Sequence, residues 1–146
     1  MPDSPSSPHP HAPVTLTIRS AAGEMEQAQA KVVRELEGHG YPKASLFAVR
    51  LSLHEALSNA FAHGHKDKPD APVTLEYRVG PQQAEFTIED QGPGFDPASI
   101  PDPTLDENLE RGCGRGLLLI RAYMTSAEYN EKGNRLRMVY QRPAGA

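Results

Sequence analysis

The chain has a single cysteine, Cys113, in 146 residues, so no internal disulfide can staple it. It has no unbroken apolar run long enough to span a membrane and no signal-peptide core, which makes the cytoplasm the expected compartment. Positive charge is scarce too: 15 Lys and Arg against 19 Asp and Glu leave a formal net charge of -4. A surface that neutralises nucleic-acid phosphates needs the opposite balance, so neither nucleic acid nor membrane is an expected partner. No strand leads directly into a Gly-rich phosphate loop and a helix, which leaves Walker-type and dinucleotide-binding folds unsupported. Met1 to Pro13 is short of large apolar side chains and dominated by Pro, Ser and His, too little to offset the entropy of ordering it. Residues 1–13 are therefore expected to be a disordered arm, in which His9 and His11 suit a solvated tail better than a metal site.

The remaining chain has the length of one domain, expected over residues 14–142 with a short tail at 143–146. Val14 to Arg19 alternates apolar and polar residues, as a strand with one buried face does. From Glu24 to Glu37, Met25, Ala28, Val32, Val33 and Leu36 recur at helical spacing, and Gly38, Gly40 and Pro42 end the pattern,. A second helix is predicted over Ala44 to His63, on the stripe Leu46, Val49, Leu53, Leu57, Ala60 and Phe61, with Gly64 as its stop,. Val73 to Val79 and Ala84 to Asp90 read as a hairpin around Gly80 to Gln83,. The stretch between Gln91 and Gly116 is rich in Gly, Pro and Asp without periodicity, too long for an ordinary connection, and so is expected to be a functional loop or lid. A short apolar helix over Leu117 to Met124 follows, then a last hairpin, Ser126 to Asn130 and Arg135 to Gln141, around Glu131 to Asn134. This mixture predicts an α+β fold, a two-layer sandwich with helices on one face of a mixed, mostly antiparallel sheet.

Three constellations could carry chemistry. Glu55, Asn59 and His63 follow one another at four-residue spacing along one gently drifting helix face and can meet one ligand,. A carboxylate and an amide oxygen one turn apart suit Mg2+, which takes few protein oxygens alongside substrate phosphates, and a carboxylate can also take a proton from a hydroxyl. The same spacing equally describes a solvated helix face. Asp90-Gln91-Gly92-Pro93-Gly94-Phe95 places an acceptor at a strand end beside backbone that a flat ligand can approach, although such a run can also be an ordinary turn. Gly112-Cys113-Gly114-Arg115-Gly116-Leu117 opens a helix whose N-terminal N–H groups favour phosphate, although a flexible connection looks alike.

Taken in order, these runs resemble the three motifs of the GHKL superfamily. Glu55-Ala56-Leu57-Ser58-Asn59-Ala60 with His63-Gly64 is similar to its N box, Asp90 to Phe95 to its G1 box, and Gly112 to Leu117 to its G2 box. The likeness covers Ser45 to Gln141 and is strongest to the anti-sigma-factor serine kinases. It implies a Bergerat-type ATP-binding fold with ATP and Mg2+ as cofactors. It also implies that Asn59 ligates Mg2+, that Glu55 is the general base, and that His63 lies in the nucleotide site. Asp90 would accept a hydrogen bond from the adenine amino group, with Gly92 and Gly94 letting the base lie against the backbone. Gly112, Gly114 and Gly116 would wrap the phosphates, and Arg115 would meet the terminal one. The implied activity is a protein-serine kinase that phosphorylates a small anti-anti-sigma regulatory protein, sequesters a sigma factor and acts as a homodimer. The alternative is an ATP-gated binding module without phosphotransfer. The chain departs from the pattern at Cys113, inside the glycine run, and at the acidic lid residues Asp102, Asp106, Glu107 and Glu110.

Overall fold

A computed structural model describes residues 13–19, 23–64, 71–91 and 115–143. The expected arm (save Pro13), the last three residues of the expected tail and nearly all of the expected lid lie outside the described residues. The elements in chain order are β1 (Val14–Ile18), α1 (Glu24–Gly38), α2 (Lys43–Gly64), β2 (Val73–Val79), β3 (Gln83–Glu89), α3 (Arg115–Tyr123), β4 (Ser126–Tyr129) and β5 (Arg135–Gln141). The strands form one sheet in the order β1-β2-β3-β5-β4. Every described pairing in it is antiparallel, in line with the expected α+β fold built on a mostly antiparallel sheet.

Register makes one face of this sheet apolar. Leu16, Leu75, Ile88, Leu136 and Tyr129 stand in one row across the five strands, and Val14, Tyr77, Phe86, Met138 and Ala127 in the next. Phe86, Leu75 and Met138 are fully buried, and burying each such side chain contributes roughly 1.5–3 kcal/mol. The opposite face carries Glu76, Thr87 and Arg137 in register, with an ion pair between Arg137 and Glu85. Arg137 is exposed in that pair, so solvent screens it and it adds little stability.

The helices cover the apolar face. α1 buries Met25, Ala28, Val32 and Leu36 and ends in a Schellman turn, in which the Tyr41 N–H donates to the Leu36 carbonyl (3.1 Å) and the Gly40 N–H to that of Glu37 (2.9 Å). The turn puts Gly40 at φ +77°, a conformation open to glycine at no steric penalty. α2 is the central helix. It packs against α1, α3, β2 and β3, and so it buries Val49, Leu53, Ala56, Leu57, Ala60 and Phe61 over more than one face. Ser45 on α2 accepts a hydrogen bond from the Tyr140 hydroxyl at 2.7 Å, which fixes the start of the helix over β5. Seven residues on, the Ser52 hydroxyl is 1 % exposed and has no hydrogen-bond partner among the described residues. Alanine is the better helix former and leaves no orphaned hydroxyl. Ser52→Ala is therefore expected to stabilise the fold by about 1 kcal/mol, seen as a melting midpoint raised by a few degrees; a lower midpoint would mean that the hydroxyl is bonded after all.

Candidate functional site

α2 brings Glu55 and Asn59 to one side of the helix, both half-buried, while Ala56, Leu57 and Ala60 hold the helix to the core. The first turn of α3 lies directly over that pair. Gly116 is buried there, and a Cβ added to it would lie 2.8 Å from Nδ2 of Asn59 and 3.2 Å from Oε1 of Glu55. Helix α3 begins at Arg115, two residues earlier than the sequence pattern suggests, because Gly116 serves as a close helix contact as well as part of a glycine run. The free N–H groups and positive dipole end of α3 are thereby set beside a carboxylate and a carboxamide. No cluster of three or more His, Cys, Asp or Glu occurs among the described residues, so a metal at this pair would take most of its ligands from elsewhere, as Mg2+ does from phosphates and water.

The close approach has a testable consequence. Gly116→Ala gives α3 a better helix former, and the atoms it would meet first are ends of side chains that can turn away,. The fold should keep its melting temperature while Asn59 and Glu55 are displaced, and a misplacement on the order of 1 Å can cost about a hundredfold in rate. Unchanged activity in a folded Gly116→Ala protein would show that the pair needs no such placement.

Asp90 follows the last residue of β3 and is 4 % exposed. Its N–H donates to the Asn134 carbonyl at 2.9 Å, and its own carbonyl accepts from Nδ2 of Asn134 at 3.2 Å. Tyr129, at the end of β4, has its hydroxyl pKa pushed up to about 12, first by burial and then by the negative charge of Asp90, against the opposing charge of Arg121. Arg121 is in the last turn of α3, five residues after Gly116 and so about 7.5 Å further along the axis. The first turn of helix α3 lies against Glu55 and Asn59, and its last turn carries Arg121, whose charge acts on the Tyr129 hydroxyl as that of Asp90 does.

Of the residues singled out from the sequence, Glu55, Asn59, Asp90 and Gly116 are placed in this way. His63 and Arg115 lie within α2 and α3, but their side chains are outside the described residues, as are Gly92, Gly94, Gly112, Gly114 and Cys113. Sequence reasoning gave no role to Asn130, Asn134, Tyr129 or Arg121. The one available signal was Asn130 and Asn134 flanking Gly133 in a hairpin turn, where Asn side chains commonly bond nearby backbone.

Comparison with known proteins agrees with this architecture. The profile of the histidine kinase-like ATPase domain matches residues 18–140, and the chain belongs to that family. Among curated relatives, an anti-sigma F factor of Clostridium beijerinckii is 31% identical over 98 residues, covering 64% of this chain and 68% of the relative. An anti-sigma F factor of Oceanobacillus iheyensis is 32% identical over 102 residues, covering 66% and 69%. The serine-protein kinase RsbW of Listeria innocua is 25% identical over 104 residues, covering 64% of each chain. The resemblance read from the three motifs is borne out at the level of the family, and an ATPase-type nucleotide site is what that family implies.

Proposed function

We propose that this protein is an ATP-dependent serine kinase of the anti-sigma type, which phosphorylates a small anti-anti-sigma partner and sequesters a sigma factor, in the cytoplasm and as a homodimer. The observation that carries the reading is Glu55 one helical turn before Asn59, with both side chains against the N-terminal turn of α3. Relatives named as anti-sigma factors and serine-protein kinases support it. No helix among the described residues is long and apolar enough to cross a membrane, and Phe47, Leu118 and Tyr123 stand exposed on α2 and α3, with Phe47 and Tyr123 edge to face at 5.8 Å. Grouped exposed apolar side chains of this kind favour a protein partner.

The amide oxygen of Asn59 suits Mg2+, and that ion, bound with ATP, would supply positive charge against the terminal phosphates. Asn59 would hold that ion through its amide oxygen. The N–H groups that open α3 bind phosphate oxygens. Glu55 takes the proton of the incoming serine hydroxyl as the serine oxygen bonds to the γ-phosphorus and the ADP oxygen leaves. Asp90 accepts from the adenine amino group, which orients the nucleotide from its other end.

Asp90 matches the amino donor of adenine and would face a carbonyl acceptor on guanine. Calorimetric titration in Mg2+ should therefore show ATP binding at least tenfold tighter than GTP, as one hydrogen bond to a charged group is worth about 1.5–3 kcal/mol. Equal affinity for the two nucleotides would remove Asp90 from base recognition.

A further inference from the structure

We propose that Asn130 and Asn134, in the turn between β4 and β5, are positioning residues for nucleobase choice: together they clasp the backbone of Asp90 and so fix where its carboxylate points. The inference rests on Asp90 as the adenine acceptor and adds what makes that acceptor selective.

The ladder between β3 and β5 ends at the pair Glu89 and Arg135. Asp90 stands one residue beyond it, just before the chain leaves the described residues at Gln91. Both of its backbone polar groups are tied to one residue, since Asn134 accepts from the Asp90 N–H at 2.9 Å and donates through Nδ2 to the Asp90 carbonyl at 3.2 Å. Asn134 is itself held from the other side. Oδ1 of Asn130 accepts from the N–H groups of Gly133 (2.9 Å), Asn134 (3.1 Å) and Arg135 (3.2 Å), and Nδ2 of Asn130 donates to Oδ1 of Asn134 at 2.9 Å. Gly133, at φ +80°, allows the turn to close that tightly.

That bond between the two side chains matters most. With Asn130 Nδ2 as donor, Asn134 must present its oxygen to Asn130 and its NH2 group to Asp90. The orientation of one amide therefore decides whether Asn134 donates to the Asp90 carbonyl or turns an oxygen toward it. Discrimination between bases rests on where that acceptor is held, because a carboxylate that swings away loses the hydrogen bond that only the adenine amino group offers. A loosened Asp90 should thus lose selectivity first, while the phosphate end of the site, built on α2 and α3, is untouched.

The test compares ATP and GTP titrations, Mg2+ dependence and thermal midpoint in four proteins: the parent, Asp90→Asn, Asn134→Ala and Asn130→Asp. Asn130→Asp retains the Oδ1 acceptor for the three turn N–H groups but replaces the donor with an oxygen, which turns the Asn134 amide around and takes its NH2 group from Asp90. Asn134→Ala and Asn130→Asp are expected to bind ATP about tenfold more weakly and GTP nearly as the parent does, so that the preference collapses while the Mg2+ dependence stays. If either variant melted lower yet kept the parent's ATP-to-GTP ratio, the clasp would be structural only and the inference overturned. Should Asn134→Ala fail to fold, Asn130→Asp alone decides. If Asp90→Asn kept the parental preference, it is the reading of Asp90 that fails, and the clasp falls with it; if Asp90→Asn lost the preference and the Asn variants kept it, only the clasp fails.

Discussion

Glu55→Gln is expected to bind ATP and its protein partners like the parent and to transfer phosphate about a hundredfold to ten-thousandfold more slowly, the usual contribution of a positioned general base. The substitution keeps the shape of the side chain and removes the basic oxygen. Its neighbours favour survival of the fold: Glu55 is half-buried, and the contact made by Gly116 is to a terminal side-chain atom, which the glutamine amide can replace. Transfer at the parental rate would exclude Glu55 from proton abstraction. A loss of ATP binding in the same variant would reassign the residue to holding the metal or phosphates.

Asn59→Ala should have the second large effect, on the magnesium-dependent part of nucleotide binding. Removing groups that merely orient a metal ligand typically weakens metal affinity by about 10-fold to 100-fold, so removal of the ligand itself should weaken it by about a hundredfold or more. Titrations of ATP with Mg2+ and with EDTA would then converge in this variant while differing in the parent. The alanine also frees space against Gly116, so loss of folding is not expected, and an unchanged thermal midpoint would confirm it. Persistent magnesium dependence in Asn59→Ala would place the metal elsewhere.

These effects come from residues visible in the sequence, and the reason is spacing. Glu55 and Asn59 share a face because a helix repeats every 3.6 residues, and the stripe from Leu46 to Phe61 fixes which face remains for them. The strands were equally legible, since Leu75, Tyr77, Phe86, Ile88, Leu136 and Met138 alternate with polar neighbours,. Gly40 marked the end of α1 through the left-handed turn that it allows. The start of α3 was less legible, because glycines at positions 114 and 116 read as loop, and only the packing against Asn59 explains a glycine inside a helix. The clasp on Asp90 could not be read at all. It joins residues 44 positions apart and depends on the register between β3 and β5, which no local pattern records. The α+β class with a mostly antiparallel sheet is legible in the hairpins, but the strand order of the described sheet is not, being a property of the whole chain.

The most direct test of a kinase at this site is transfer of label from γ-labelled ATP, with Mg2+, to small regulatory proteins of the anti-anti-sigma type from the same genome. Partner retention and phosphorylation should be measured on the same preparation of parent and Glu55→Gln protein. The predicted result is label on a partner serine with the parent, strongly reduced label with Glu55→Gln, and equal retention of the partner by both. A parent that binds ATP and holds a sigma factor only when nucleotide is present, yet labels none of the partners, would contradict the kinase and leave a nucleotide-gated binding protein.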